Sequence, residues 1–247
     1  MEILQNQARA RHKKVERIQR LIERKNGELL KHPYFQICTS RQITREQVVE
    51  VIKQVYCFSV FFERLLTRRI AECSTTTDVR LLQMARGHLR DELGHVQLFA
   101  ECLRENGVSN AEVARLRPKT FTKTVFGYLL ATIQHEHAYV SNVALMQVME
   151  SIGYYFFTAT VDAMKAHGMP AAAMQQHTED DAAHADLGLD LIAHFDDQHL
   201  SDCDRVINDV YRLIALMFEE WLDTAGRKLA PAAPPRRRRT SRPPRSN

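Results

Sequence analysis

The sequence predicts an all-α protein, built as a bundle of about six to eight helices. Its 247 residues include only nine glycines and eight prolines, and five of these prolines fall in residues 231–247, so little else in the chain would end a helix. Apolar residues recur every three or four positions, as in Val48, Ile52, Val55 and Phe58, and no stretch of comparable length alternates as a strand does. The hydrophobic fraction, 45%, is enough for one sizeable core.

Helix start and stop signals divide the chain into successive helical segments. The predicted segments lie at about residues 2–30, 45–71, 77–105, 121–166 and 201–228, with one more after a break at residues 168–170. The segment at 121–166 is predicted to break near Ala138. The residues expected to cap a helix or a short turn are Thr44 with Gln47, Thr77, Ser109 with Glu112, and Ser201 with Asp204.

Residues 1–230 are predicted to form a single domain, followed by a disordered tail at residues 231–247. The tail, PAAPPRRRRTSRPPRSN, carries six arginines and no acidic residue, and a segment so rich in proline and arginine cannot bury apolar surface. Removing these six charges from the formal net charge of +4 leaves −2 for residues 1–230. We therefore do not expect the folded domain to bind nucleic acid.

The apolar runs, the N-terminal residues and the cysteines predict the cellular location of the protein. The longest apolar runs, such as residues 213–218, are far shorter than the roughly 20 residues of a membrane helix, and the N-terminal residues lack the apolar core of a secretory signal. The five cysteines are odd in number and form no C-x-x-C pair, which argues against a disulfide framework and a thiolate zinc site. We expect a cytoplasmic protein with no membrane partner.

Two clusters of histidine and carboxylate residues repeat with the same spacing. They are His88-x-x-x-Glu92-x-x-His95 and His177-x-x-x-Asp181-x-x-His184. An isolated glutamate precedes the central carboxylate of each cluster, Glu63 by 29 residues and Glu150 by 31 residues. Because positions i, i+4 and i+7 share one helix face, four helices could present these side chains to one another.

Ionisable groups on the inner face of a bundle are costly to bury unless they are paired or bind metal. Carboxylate and imidazole ligands without thiolate suit iron better than structural zinc. In carboxylate di-iron bundles, two helices each contribute a glutamate and two others each contribute Glu-x-x-His, a pattern that this chain reproduces with one aspartate for glutamate. The predicted ligands of two iron ions are Glu63, Glu92, His95, Glu150, His177, Asp181 and His184. His88 is predicted to support a ligand or lie at the surface.

Over about residues 30–200 the chain resembles the heme-oxygenase-like di-iron oxidases and oxygenases. The resemblance rests on the aromatic segment VYCFSVFF at residues 55–62, on RDELGHVQLF with its acid and histidine, on Glu150 and on the final histidine-aspartate-histidine cluster. It implies a heme-oxygenase-like bundle that binds no heme. The final cluster also occurs in some ferritin-like arylamine N-oxygenases, but chain length, the aromatic helix and Asp181 favour the heme-oxygenase-like group.

The resemblance implies a non-heme di-iron oxygenase of a biosynthetic pathway, with O2 as cosubstrate and a small-molecule substrate. Family members that oxygenate nitrogen carry an additional carboxylate ligand, and Glu63 could take that catalytic role. We therefore expect N-oxygenation of an amine or amino-acid-derived substrate through a peroxo-di-iron(III) species. If Glu63 is not a ligand, the alternative is C–C cleavage, decarboxylation or desaturation of an amino or fatty acid.

Other classes of protein stay open at the level of sequence. A metal-free enzyme of the same fold, similar to thiamin-degrading proteins, would need a nucleophilic cysteine in its pocket. A ferritin-like iron-handling protein would oxidise iron without an organic substrate, and a helical interaction protein would bind no metal. The sequence also leaves open a reductase as external electron donor and the formation of a homodimer.

Overall fold

The computed structural model describes the backbone of residues 2–76, 78–184 and 188–223, and within these it leaves out the side chains of residues 2–8, 10 and 179–184. In this part of the chain the protein forms α-helices and one short π-helix, and no strand is found there. The all-α prediction is therefore confirmed. The α-helices are α1 (Glu2–Leu29), α2 (Pro33–Thr39), α3 (Arg45–Cys73), α4 (Val79–Glu92), α5 (His95–Glu105), α6 (Asn110–Val113), α7 (Thr120–His135), α8 (Ala138–Asn142), α9 (Met149–Ala166), α10 (Ala172–His184), α11 (Leu189–Ile192) and α12 (Asp197–Leu222).

Local sequence signals fix several helix starts as predicted. Thr44 and Gln47 form a capping box at the start of α3, in which each side chain bonds the backbone N–H of the other residue. Ser109 and Glu112 form the same arrangement at α6. The predicted break near Ala138 is also confirmed, because α7 ends and α8 begins on either side of residues 136–137.

Two other starts differ from the prediction. The last helix begins before Ser201, because Asp196 accepts a hydrogen bond from the backbone N–H of His199 and the His199 side chain completes a capping box. Asp78 caps α4, since its side chain accepts from the backbone N–H of Arg80. The predicted cap, Thr77, lies outside the described residues.

The segment predicted as one helix at residues 77–105 consists of two helices. Helix α4 ends at Glu92 and α5 begins at His95, with Leu93 and Gly94 between them. Gly94 has a φ of 103°, a left-handed conformation that favours glycine and ends a regular helix. The break therefore falls inside the acid-and-histidine motif.

The centre of the bundle is formed by α3 and α12. Helix α3 packs against α4, α5 and α7, while α12 packs against α1, α7 and α3. Helix α9 packs against α10 and α2, and Phe156 of α9 stacks on Tyr34 and Phe218 at centroid distances of 5.4 and 5.2 Å. This packing brings α3, α4, α5, α9 and α10 around one interior region.

Within the described residues, no helix combines the length and the apolar character needed to cross a bilayer. The tail predicted at residues 231–247 lies outside the described residues, so the boundary of the domain stays a prediction.

Candidate metal centre

Two groups of buried carboxylate and imidazole side chains lie inside the bundle. One comprises Glu92, His95 and His177, and the other comprises His88, Glu92 and Glu150. In each group, three potential ligand atoms lie within 4.8 Å of one another. None of these side chains belongs to a residue more than 8% exposed. Glu92 belongs to both groups and therefore occupies the middle of the site.

A helix break, and not a continuous helix face, brings Glu92 and His95 together. Glu92 is the last residue of α4 and His95 is the first of α5. The positive φ of Gly94 allows the chain to change direction between them at little steric cost. As a result, His95 Nδ1 lies 2.8 Å from Glu92 Oε2, and both side chains remain buried.

His177 enters the site from α10 and lies among aromatic rings. Its ring centroid is 4.2 Å from that of Phe157, 5.4 Å from that of Phe99 and 4.4 Å from that of His95, with interplanar angles of 73°, 77° and 75°. Edge-to-face contacts of this kind stabilise one ring orientation. The surrounding rings also exclude water from this side of the site.

Glu150 approaches the site from α9 and contacts a second buried histidine. His88 Nε2 lies 2.9 Å from Glu150 Oε1, and His88 Nδ1 lies 3.2 Å from Arg69 Nη1. Arg69 also donates to Asn142 Oδ1, and its Nη1 donates to Met146 Sδ at 3.3 Å. A chain of polar contacts thus links α3, α4 and α9.

The π-helix at Val143–Val148 explains how Asn142, Met146 and Glu150 reach the same side of the molecule. These residues recur every four positions, and in a regular α-helix the third would be rotated by about 80° from the first. The i→i+5 bonds of a π-helix widen the turn and reduce that rotation. The π-helix therefore sets the direction from which Glu150 enters the site.

Sequence analysis missed Arg69, which is fully buried. Burial lowers the pKa of its guanidinium to about 10, while the nearby Cys73 and Glu150 raise it, so Arg69 stays charged at neutral pH. The three arginines at positions 64, 68 and 69 suggest a solvent-exposed helix face if only residue type is considered. The spacing indicates that Arg69 is buried, because position 69 continues the buried repeat of Phe62, Leu66 and Cys73.

An apolar cavity of about 80 Å³ adjoins the two groups. Its walls come from α3, α4, α9, α10 and α12, and Glu92, Glu150 and His177 reach into it. The remaining described lining residues are apolar or aromatic apart from Ser59, and they include no lysine or arginine. They are Val55, Phe58, Ser59, Phe62, Met149, Ile152, Gly153, Phe156, Phe157, Ile214, Met217, Phe218 and Trp221.

None of the five cysteines lines this cavity, and all five are buried in the core. Cys57 is on α3, one of the helices that line the cavity, but burial raises the pKa of its thiol to about 11. Burial likewise raises the pKa of Cys102 to about 11. The thiolate, which is the nucleophilic form of cysteine, is therefore disfavoured at these two positions.

The structure brings together four of the seven predicted ligands, Glu92, His95, Glu150 and His177. Asp181 and His184 lie on α10, but their side chains are outside the described part of the chain. Glu63 is half-buried on α3 and belongs to neither group. Buried His88, predicted to support a ligand or lie at the surface, contacts Glu150.

The chemistry of these side chains fits a pair of iron ions. Carboxylate and imidazole groups are the donors that iron favours, and the two groups contain no thiolate. A carboxylate shared by two neighbouring groups can bridge two cations, and burying Glu92 and Glu150 together is costly unless positive charge compensates them. Glu92, His95, His177 and Glu150 are the described residues that would hold such ions.

Comparisons with known proteins agree with this fold and with iron chemistry. The sequence profile of a family described as iron-containing redox enzymes matches residues 49–218, which include all seven predicted ligands. No curated protein sequence matches the chain.

Several solved structures have a similar fold. A domain of unknown function with a heme oxygenase-like fold from Shewanella denitrificans superposes with a TM-score of 0.68 at 15% identity, covering 82% of this chain and 89% of that one. A TenA homolog from Pseudomonas syringae gives a TM-score of 0.67 at 11% identity, covering 84% and 92%. A CADD-like protein of unknown function from Nostoc punctiforme gives 0.66 at 15% identity, covering 84% and 98%.

At these identities the solved structures establish the fold alone, which is the heme-oxygenase-like bundle that the sequence predicted. The profile match extends over most of the chain and includes both histidine-carboxylate clusters. The chain therefore belongs to the family of iron-containing redox enzymes.

Proposed function

We propose that the protein is a non-heme di-iron oxygenase that uses O2 to oxidise a small organic substrate with an apolar body. The observation that carries this proposal is the sharing of Glu92 between two buried carboxylate-imidazole groups that adjoin an apolar cavity. A bound pair of iron ions would supply the redox chemistry with O2. Family membership supports iron as the metal.

Different residues would bind the metal ions and the substrate. Glu92, His95, Glu150 and His177 would hold the ions together with Asp181 and His184, which the sequence assigns to the same site. Aromatic side chains, among them Phe156 and Phe157, line the cavity and exclude water from the reacting group. The protein thus offers a dry cavity whose polar end is the metal centre.

We propose N-oxygenation of an amine as the reaction. The described cavity walls carry no lysine or arginine that could pair with a distant substrate carboxylate, whereas Glu92 and Glu150 are acidic. An amine with an apolar body matches such a cavity, since its nitrogen can approach the polar end while its carbon skeleton packs against the aromatic wall. Glu63 would act as the additional carboxylate ligand of this chemistry.

The position of Glu63 favours a second candidate reaction. Four carboxylates, Glu63, Glu92, Glu150 and Asp181, would balance the charge of two Fe(II) ions, but Glu63 is half-buried and lies outside both groups. Without Glu63 the bound ions keep a positive charge that can attract the carboxylate of a substrate. Oxidative decarboxylation or C–C cleavage of an acid with an apolar chain would follow from that arrangement.

The experiment that tests these proposals is product analysis by mass spectrometry under ¹⁸O2, with iron-loaded protein, a chemical reductant and panels of apolar amines and acids. N-oxygenation predicts ¹⁸O in a hydroxylamine or nitroso product, and its loss in Glu63→Gln but not in the same-helix control Glu72→Gln. Cleavage of acids that survives Glu63→Gln would instead support the second candidate. O2 consumption unchanged by either panel, with no organic product, would contradict both.

Metal-free catalysis by a cysteine nucleophile is not supported by the cavity. Its described lining contains no cysteine, although TenA homologs share the fold. A variant with all five cysteines replaced by alanine or serine, if folded, should therefore retain substrate turnover after iron loading. Loss of turnover in one single-cysteine variant that still binds iron would contradict this expectation.

A further inference from the structure

Arg69, His88 and Glu150 form a continuous buried chain of polar contacts. Their exposed fractions are 0%, 1% and 3%. Arg69 Nη1 lies 3.2 Å from His88 Nδ1, and His88 Nε2 lies 2.9 Å from Glu150 Oε1. The histidine therefore bridges a cation on α3 and a carboxylate on α9.

The direction of each hydrogen bond follows from the chemistry of its end groups. A guanidinium has only donors, so Arg69 must donate and His88 Nδ1 must accept. A neutral imidazole that accepts at one ring nitrogen carries its proton on the other. His88 Nε2–H therefore donates to the carboxylate of Glu150.

This assignment decides whether His88 is a metal ligand. One ring nitrogen of His88 and one carboxylate oxygen each of Glu92 and Glu150 lie within 4.8 Å of one another. Distance alone would therefore allow His88 to bind a metal ion together with these two carboxylates. However, a neutral imidazole has a single in-plane lone pair, and the hydrogen bond from Arg69 uses it. No lone pair is left at Nε2 for a cation.

We propose that Arg69 and His88 are positioning residues for Glu150: Arg69 holds the His88 proton on Nε2, and His88 directs the Glu150 carboxylate by donating to it. The ligand role of Glu150 rests on the proposed di-iron function, whereas the tautomer of His88 does not. A hydrogen bond of this kind fixes the orientation of a ligating carboxylate.

Arginine suits this role better than lysine. Its planar guanidinium donates from Nη1 to His88 and Met146 and from Nη2 to Asn142, which lies just before the π-helix. One side chain thereby aligns α4 with the segment that leads into α9. The shorter reach and single nitrogen of a lysine could not maintain all three contacts.

The tautomer can be measured directly in the metal-free protein. In long-range ¹H–¹⁵N spectra of the full chain labelled with ¹⁵N-histidine, the resonances of His88 are those lost in His88→Gln. We expect one protonated nitrogen, Nε2, and one unprotonated nitrogen, Nδ1. A proton on Nδ1 in the wild-type protein would overturn the proposal, whatever the behaviour of the variants.

Variants of Arg69 test whether this side chain fixes the tautomer. Arg69→Met should shift both His88 nitrogen resonances, because the donor to Nδ1 is lost. The matched control is Arg68→Met, since neighbouring Arg68 is exposed and pairs with Glu72. If Arg69→Met does not fold, Arg69→Leu, which also lacks a donor, replaces it, and His88 signals unchanged in the variant that folds would refute the role of Arg69.

Iron binding separates a positioning role from a ligand role. His88→Gln keeps an N–H donor for Glu150 and should bind as much Fe(II) as the wild-type protein, whereas His88→Phe should bind it about 10- to 100-fold more weakly. His177→Ala is the ligand control and should lose iron. Loss of one iron in His88→Gln would identify His88 as a ligand and overturn the proposal. If the wild-type protein itself bound no iron, the di-iron function would fail and the tautomer measurement would still decide the Arg69–His88 arrangement.

Discussion

At the scale of single residues, Glu92 is the central side chain of the candidate metal centre. It is 4% exposed, contacts His95 at 2.8 Å and belongs to both groups of candidate ligands. Buried carboxylates close to one another weaken a fold unless cations compensate them. The stability of the metal-free protein and the function of the site therefore make opposite demands on this residue.

Replacing Glu92 should separate these two demands. In Glu92→Ala we expect Fe(II) affinity to fall by more than the roughly 100-fold that loss of a residue supporting a ligand can cost. The metal-free variant should lose much less stability than the Fe(II)-loaded variant, because without metal Glu92→Ala removes only the contacts of one side chain, such as the one with His95. Calorimetry with and without Fe(II) checks both effects, with exposed Glu101→Ala as the control. An unchanged rise in Tm on adding Fe(II) would contradict the role of Glu92.

The sequence revealed the residue types of the site more completely than their contacts. The repeated spacing pointed to Glu92, His95 and His177, with Glu150 as the preceding glutamate, although Glu92 and His95 meet across the break at Gly94 and not on one helix face. It also predicted Glu63 as a ligand, but Glu63 belongs to neither group, since the direction of a half-buried side chain depends on neighbouring helices. Arg69 was missed because a charged residue at a buried position gives no signal in composition, and only its contacts with His88 and Asn142 explain it.

At the scale of helices, boundaries position the ligands. The sequence predicted the start of α3 from the Thr44 capping box, but it predicted an unbroken helix through Gly94. Glycine is tolerated inside helices, so one glycine does not distinguish a break from a continuous helix. The predicted start of α12 was also wrong. The capping box there pairs Asp196 with His199, whereas glutamate or glutamine usually occupies the second position.

The break at Gly94 predicts opposite effects for alanine at two glycines near one end of α4. A Cβ at Gly94 would meet no atom within 4 Å, but its φ of 103° should make Gly94→Ala destabilising by about 1–2 kcal/mol. At Gly87, inside α4, a Cβ also meets nothing within 4 Å, so Gly87→Ala should stabilise by about 0.5–1 kcal/mol. Urea unfolding of the metal-free proteins measures both. Stabilisation by Gly94→Ala would mean that α4 and α5 form one continuous helix.

The cavity wall on α9 predicts a residue that limits substrate size. Gly153 lies three residues after Glu150 and lines the cavity. Gly153→Leu should fill part of the roughly 80 Å³ and weaken turnover of long substrates while leaving bound iron unchanged. Thr158→Leu, at an exposed position of α9, is the control. If Gly153→Leu has the same ratio of kcat/KM for long and short substrates as the wild-type protein, the substrates do not bind in this cavity.

At the scale of the whole molecule, the fold class followed from periodicity and the scarcity of glycine and proline, and the structure has that class. The bundle packs α3, α4, α5, α9 and α10 around one interior region. Glu92, Glu150 and His177 therefore come together although they lie far apart in the sequence. Packing of this kind depends on many apolar contacts at once, such as the stack of Tyr34, Phe156 and Phe218. For that reason the sequence predicted which helices carry ligands but not the cavity between them.

The most direct test of a di-iron centre is the amount of iron bound per chain, measured by elemental analysis after anaerobic loading with Fe(II) and removal of excess metal. We expect about two irons per wild-type chain, as in carboxylate di-iron bundles, and clearly fewer in His177→Ala. An exposed-histidine control, His135→Ala, should match the wild type. No iron retained by the wild-type protein, or equal retention in His177→Ala, would contradict the assignment of this site as a di-iron centre.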